Sequence, residues 1–260
     1  MYSSMKQLTQ FMSRLQFDNF RGYLSHMDER FARDQMEYAA KFEEAAKHLS
    51  EAERSQLGEW YDEGFLYVSE VFPSLFGQNA LTMVWSHFEH EMVEACRTDI
   101  IHETESLEVG EKNADKCNTL ELVHKHLKDR GVQLLPIWSE LHENIREVRN
   151  QIVHDNGRRY VAGLDGGPDD MTGIKTAKRS KQVDEYVASR IAAGKSGLSF
   201  DGDQLVVTTT FCREIAEMCE VLVAHVIEKM PDTEESYSRI EAIMSRAKKR
   251  RAKNDAAGQA

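Results

Sequence analysis

The run Arg149-Asn150-Gln151-Ile152-Val153-His154, followed by Asp155-Asn156-Gly157, combines a permanent cation with a titratable base. Arg holds its charge at any physiological pH and grips a phosphate through two parallel hydrogen bonds, whereas His changes protonation near neutrality and can move a proton. Such a pair suits chemistry at a phosphodiester. When a 2′-hydroxyl attacks the adjacent phosphate, one group must handle protons and a cation must stabilise the added negative charge, and neither task requires a metal. The spacing alone is a cheap pattern, because Arg21 to His26 and Arg97 to His102 repeat it. What surrounds the pair has to single one of the three out.

The element that positions Arg149 and His154 is a helix predicted to open at Pro136 and to end at Gly157, with Trp138, Leu141, Ile145, Val148 and Ile152 forming an apolar stripe at three-and-four spacing. Arg149 lies beside that stripe, next to Val148. Asn150 and His154 are four apart and share the face turned away from the core. At 100° per residue the Arg and the His are about 140° apart, a gap that a long Arg side chain closes in part and a second copy of the helix across a two-fold axis can close further. The exposed carbonyls at the end of a helix also favour a protonated imidazole, by roughly 0.3–1 kcal/mol, which makes a proton donor available. The same residues equally suit a plain helix end, with Arg149 paired to Glu143 or Glu147.

Few prolines and recurrent three-and-four spacing predict an all-α chain. Phe17, Phe20, Leu24, Met27 and Phe31, continued by Tyr38 and Phe42, line a long helix to about residue 49. Ser50 and Glu53 form a capping box that opens a second helix, which Pro73 interrupts. The two pair as an N-terminal helical hairpin. A third helix runs from about residue 73 to Ile101, and a polar loop follows. A short helix over Thr119 to Arg130 stops at Gly131. The stretch from Gly157 to about Ser180 reads as an exposed loop, then a short helix to Ala193. Leu198-Ser-Phe200, Asp201-Gly202 and Gln204 to Thr208 read as a small β-hairpin. A long helix over Thr209 to Lys229 and a last helix from Pro231 complete the chain, which ends in the basic run Arg246 to Lys253. The division expected is 1–72 for the hairpin extension, 73–230 for a helical core, and 231–260 for the last helix and basic tail.

The formal charge of −11 and pI near 5.4 exclude a nucleic-acid binder that works through bulk electrostatics, so any RNA contact must be local. Cys96, Cys117, Cys212 and Cys219 form no C-x-x-C pair, and no signal peptide or long apolar run is present. A cytoplasmic protein without disulfides, membrane segment or cofactor is the expectation. His87, His90, Glu91 and Glu94 have helical spacing but lack the four converging ligands of a zinc site, so they read as core-edge and solvated residues.

Arg149-Asn150-x-x-x-His154 at the end of a core helix resembles the R-x4-6-H motif of the HEPN superfamily, in its form with a polar residue after the Arg. The helix around Asn79 to Glu89 and the helix entered through Leu205 to Thr210 extend the resemblance over roughly residues 75–230. It implies an HEPN-like bundle that forms a homodimer with two motifs facing each other in a shared cleft. It further implies a metal-independent endoribonuclease of toxin or antiviral-defence type, with RNA as substrate and an antitoxin or other regulatory protein as a further partner. On this resemblance Arg149 stabilises the scissile phosphate, His154 is the acid or base, and Asn150 orients them. Arg146, one turn earlier, and Arg158 and Arg159 just beyond are the expected RNA contacts. The alternative is a non-catalytic HEPN-like module that binds RNA, nucleotide or protein. The tyrosine that often follows the His in this superfamily has no direct counterpart, Tyr160 being six residues on.

Overall fold

The computed structural model describes residues 5–103, 107–159 and 171–230; within them the fold is all-α apart from one two-stranded hairpin. The helices are α1 (Met5–Ala46), α2 (Glu51–Leu66), α3 (Phe72–Glu103), α4 (Leu107–Ala114), α5 (Leu120–Asp129), α6 (Ile137–Ser139), α7 (Arg146–Asp155), α8 (Met171–Ala192) and α9 (Thr209–Lys229). Two π-helical turns, Tyr67–Val71 and Glu140–Ile145, join α2 to α3 and α6 to α7. Strands β1 (Leu198–Asp201) and β2 (Gln204–Val207) lie between α8 and α9. The described residues form two compact units, one from residues 16–88, 136–159 and 171–221, the other from 5–15, 89–103, 107–135 and 222–230.

The first of these units holds the motif. α2 starts as its sequence predicts: the Ser50 hydroxyl accepts from the Glu53 amide, and the Glu53 carboxylate accepts from the Ser50 amide at 2.9 Å. Pro73 does not interrupt the helical run. A proline lacks the N–H for the turn behind it and crowds the carbonyl four residues back. The π turn just ahead widens the backbone, with the Phe72 N–H reaching the Tyr67 carbonyl five residues back, and the chain passes Pro73 in the first turn of α3. The rings of Tyr38 and Phe42 on α1 meet Tyr61 on α2 at 5.2 and 5.3 Å, and Arg54 bonds Glu43 at 2.9 Å.

Leu81, Val84, Trp85 and Phe88 of α3, with Phe211 and Ile215 of α9, are wholly buried and make the core. The hairpin pairs Leu198 with Val207 through Asp201 with Gln204, leaving Gly202-Asp203 as the turn. It approaches α3 closely at Gly77, where a Cβ would come 1.8 Å from the Val207 carbonyl oxygen, so no larger residue fits without moving the strand. α8 begins at Met171, ten residues earlier than the short helix predicted from Lys181. Lys175, Lys178, Arg179 and Lys181 give this stretch the look of a polar loop, but the residues that turn inward are Ser180, Val183, Tyr186, Val187 and Arg190, two of them polar. The part of the predicted loop over 160–170 lies outside the described residues.

In the other unit, Thr119 caps α5, its hydroxyl accepting from the Leu122 amide, and Leu120, Val123 and Leu127 are buried. Asp99 on α3, 2 % exposed, takes His126 at 2.8 Å and Arg130 at 2.9 Å. The polar loop predicted after Ile101 contains α4 instead, a helix of eight residues too short to show a clear apolar period in the sequence. The last helix predicted from Pro231 and the basic run Arg246 to Lys253 lie outside the described residues. All four cysteines are free and buried. Among the described residues no helix is long and apolar enough to cross a membrane.

Candidate functional site

The motif sits on α7, at the end of the helical run that starts at Ile137. Trp138, Leu141, Ile145 and Val148 are buried as the stripe predicts, but the next inward position is Gln151, fully buried, while Ile152 is only half-buried. The shift arises after the π turn Glu140–Ile145, since Ile145 and Val148 keep their inward places, and it falls in the last turn of α7, where the chain leaves the helix. Tyr186 of α8 ties the π turn down by donating to the Glu140 carboxylate at 2.8 Å. Burial, aided by the Glu140 hydrogen bond, pushes the Tyr186 phenol well above its ordinary value, so it remains a donor.

Where α7 stops, Asn156 (φ 52°) and Gly157 (φ 70°) turn left-handed, and the Gly157 amide returns to the Gln151 carbonyl at 3.0 Å. Two carboxamides fasten this turn and a third holds the strand beside it. Gln151 Nε2 donates to the Arg158 carbonyl at 2.9 Å, Gln204 Nε2 donates to the Asn156 carbonyl at 3.0 Å, and Gln78 Nε2 donates to the Leu205 carbonyl at 2.7 Å. The Leu205 amide also donates to the Gly157 carbonyl at 2.7 Å, so the end of the motif helix is stitched to β2. Sequence reasoning missed all three glutamines. Gln151 alone carried a signal, three residues beyond Val148 on the inward face.

Arg149 donates through Nη1 to the Asn150 side-chain oxygen at 3.1 Å, and among the described residues it has no carboxylate partner. Neither Glu143 nor Glu147 holds it. Glu147 instead lies 3.6 Å from Arg146 and 3.4 Å from Arg179, and Arg179 also bonds Asp155 at 2.9 Å. The Arg149 Nε is buried without a hydrogen-bond acceptor. His154 is exposed and makes no hydrogen bond among the described residues. The structure therefore joins Arg149 to Asn150 and leaves His154 open one turn beyond Asn150.

The two other Arg-His pairs of equal spacing differ in one respect. Arg21 is held by Glu220 at 2.6 Å and by Asp18, and Arg97 by Glu94 at 3.0 Å and Asp115 at 2.8 Å. Of the three arginines, only Arg149 has a neutral partner alone. The remaining expected RNA contacts are placed differently from one another. Arg146 lies 3.2 Å from His142 as well as near Glu147. Arg159 pairs with Asp184 at 2.8 Å and stacks 3.8 Å above the Phe200 ring. Arg158 bridges to Gln204 by its backbone, while its side chain is exposed.

No group of three His, Cys, Asp or Glu side chains among the described residues is placed to hold a metal ion. His87, raised above as a ligand candidate, packs its ring 4.8 Å from Phe17. No family model, curated protein or solved structure matches the chain.

Proposed function

We propose that this all-α protein is a metal-independent endoribonuclease, HEPN-like and of toxin or antiviral-defence type, working at Arg149, Asn150 and His154. The observation that carries the reading is the contrast among the three Arg-x4-His pairs: Arg21 and Arg97 are neutralised by carboxylates, and among the described residues Arg149 is not. A half-buried guanidinium with one neutral partner attracts an anion, and a phosphate oxygen supplies one in the bidentate geometry that Arg favours. Asn150 holds the guanidinium in place for it.

Chemistry follows from proton placement. The 2′-oxygen attacks phosphorus as its proton leaves, the bond to the 5′-oxygen breaks, and a proton is delivered to that leaving oxygen, giving a 2′,3′-cyclic phosphate and a 5′-hydroxyl. With two copies of the motif facing each other in a homodimer, one imidazole takes the first proton and the other gives the second, while the guanidinium stabilises the phosphorane charge. Arg146 and Arg158 extend the contact to neighbouring phosphates. A nuclease of this kind in a cell requires restraint, for which a neutralising protein is the natural partner.

Purified protein incubated with total RNA in EDTA should yield fragments with cyclic phosphate ends. His154→Ala should abolish the cleavage, and Arg149→Ala should lower it by about a hundredfold or more. Equal cleavage by His154→Ala, or none by the native protein, refutes the reading; RNA binding that persists without cleavage and weakens in Arg149→Ala points to the non-catalytic module. Light scattering should report a dimer.

A further inference from the structure

We propose that the cavity beside the end of the motif helix is a nucleobase subsite for the RNA strand, an inference that rests on the ribonuclease reading above. The cavity measures about 880 Å3, within the roughly 300–1,000 Å3 usual for small-ligand sites. All its lining residues fall in the unit that holds the motif: α1 contributes Phe31 and Gln35, the first π turn Ser69 and Glu70, and β2 Gln204 and Val206. Asn156 and Arg158, which directly follow α7, line it too. The cavity therefore opens beside the end of the helix that carries Arg149.

The lining suits a flat heterocycle. Leu66, Pro73 and Leu75 provide apolar surface, and the Phe31 ring is fixed by an edge contact with Phe76, centroids 5.5 Å apart at 68°, ready to pack against a base. The Ser74 Oγ is buried there and has no partner. A helical serine ordinarily returns its hydroxyl to the carbonyl four residues back, as Ser69 does to Phe65 at 2.8 Å. Ser74 does not; its hydroxyl is shielded from solvent and lies behind the cavity wall.

Charge narrows the class further. Arg158 is the one Lys or Arg among the described lining residues, against three acids. Asp28 is engaged by Thr209 at 2.5 Å and by Arg213 at 2.8 Å, whereas the Glu70 and Asp201 side chains have no bonded partner among the described residues. Free carboxylates repel a polyphosphate but accept from the exocyclic amine of a base, the contact by which acids read cytosine. The subsite thus takes a base with an exocyclic amine in preference to uracil, with Arg158 on the adjoining phosphate.

The test uses the full chain and 2′-O-methyl tetranucleotides, which lack the attacking hydroxyl and stay uncut, titrated by fluorescence anisotropy. Oligo-A and oligo-C should bind about tenfold tighter than oligo-U, the discrimination of one good base contact. Ala32→Trp, at an exposed α1 position that lines the cavity, should fill it and erase the preference, and Glu70→Ala combined with Asp201→Ala, at two exposed residues, should do so without altering the fold. Equal binding of the three oligonucleotides, or a preference that survives in both variants, overturns the subsite. Binding of free AMP as tight as that of oligo-A overturns its assignment to a strand. The ribonuclease reading fails separately: a base preference lost in both variants but without any RNA cleavage sinks the enzyme and keeps the subsite.

Discussion

Replacing Gly157 by alanine places a methyl group where the motif helix is stitched to the hairpin. Two costs combine. The φ of 70° at this position is left-handed, which an L side chain tolerates only at about 1–2 kcal/mol. The new Cβ would also stand 2.8 Å from Gln204 Nε2 and 2.9 Å from Gln78 Nε2, the two amides that bond the Asn156 and Leu205 carbonyls. Moving both loses up to about 0.5–1.5 kcal/mol each, for a sum of about 2–5 kcal/mol. Urea unfolding followed by tryptophan fluorescence measures it, since Trp85 and Trp138 are buried in the same unit. Gly22→Ala is the control: with nothing within 4 Å of its Cβ in α1, it should gain about 0.5–1 kcal/mol. A loss at Gly157 under about 1 kcal/mol would show that neither the left-handed turn nor the amide contacts constrain the site, and the reasoning would be wrong.

Two further substitutions probe the frame. Ser50→Ala should cost about 1 kcal/mol and speed amide exchange at the start of α2, a helix that buries no residue and so depends on its cap. Burial raises the Glu214 carboxyl, but hydrogen bonds from Arg190 and Lys195 outweigh it and hold the group below its ordinary 4.5. A carboxyl depressed by folding stabilises the protein above its unfolded value, and that stabilisation drains as pH falls through the folded value. Thermal melts should therefore fall on acidification below 4.5, and Glu214→Gln should flatten that limb while weakening the protein at neutral pH, where the Arg190 side chain is only 2 % exposed and loses its counter-charge.

Elements with a strong local signature were legible in the sequence. The capping box at Ser50 and Glu53, the hairpin around Gly202, the stop at Gly131 and the full length of α9 each follow from a few neighbouring residues. The π turns were not, because their extra residue has no propensity signal, and neither was the inward turn of Gln151 in place of Ile152. α8 hid its first turns behind Lys175, Lys178 and Arg179, which gave them the look of a polar loop. At the candidate site, the Arg149 and His154 pattern was visible, yet its distinction from Arg21 and Arg97 depended on carboxylates as distant as Glu220 and Asp115. The cavity was invisible for the same reason, its lining coming from α1, the first π turn and the hairpin.

The carboxamides of Gln151 and Gln204 that fasten the end of α7, and that of Gln78 on the strand beside it, carry no charge at any pH. Acid, base and salt act on ionised groups and pass such contacts by. The stitching of the motif to β2 should therefore keep its shape across conditions that change the reacting groups. A pH or salt profile recorded at this site then reads the reacting groups together with the ionised anchor at the end of α7, the contact of Arg179 with Asp155 and Glu147, while the stitch to β2 stays out of it.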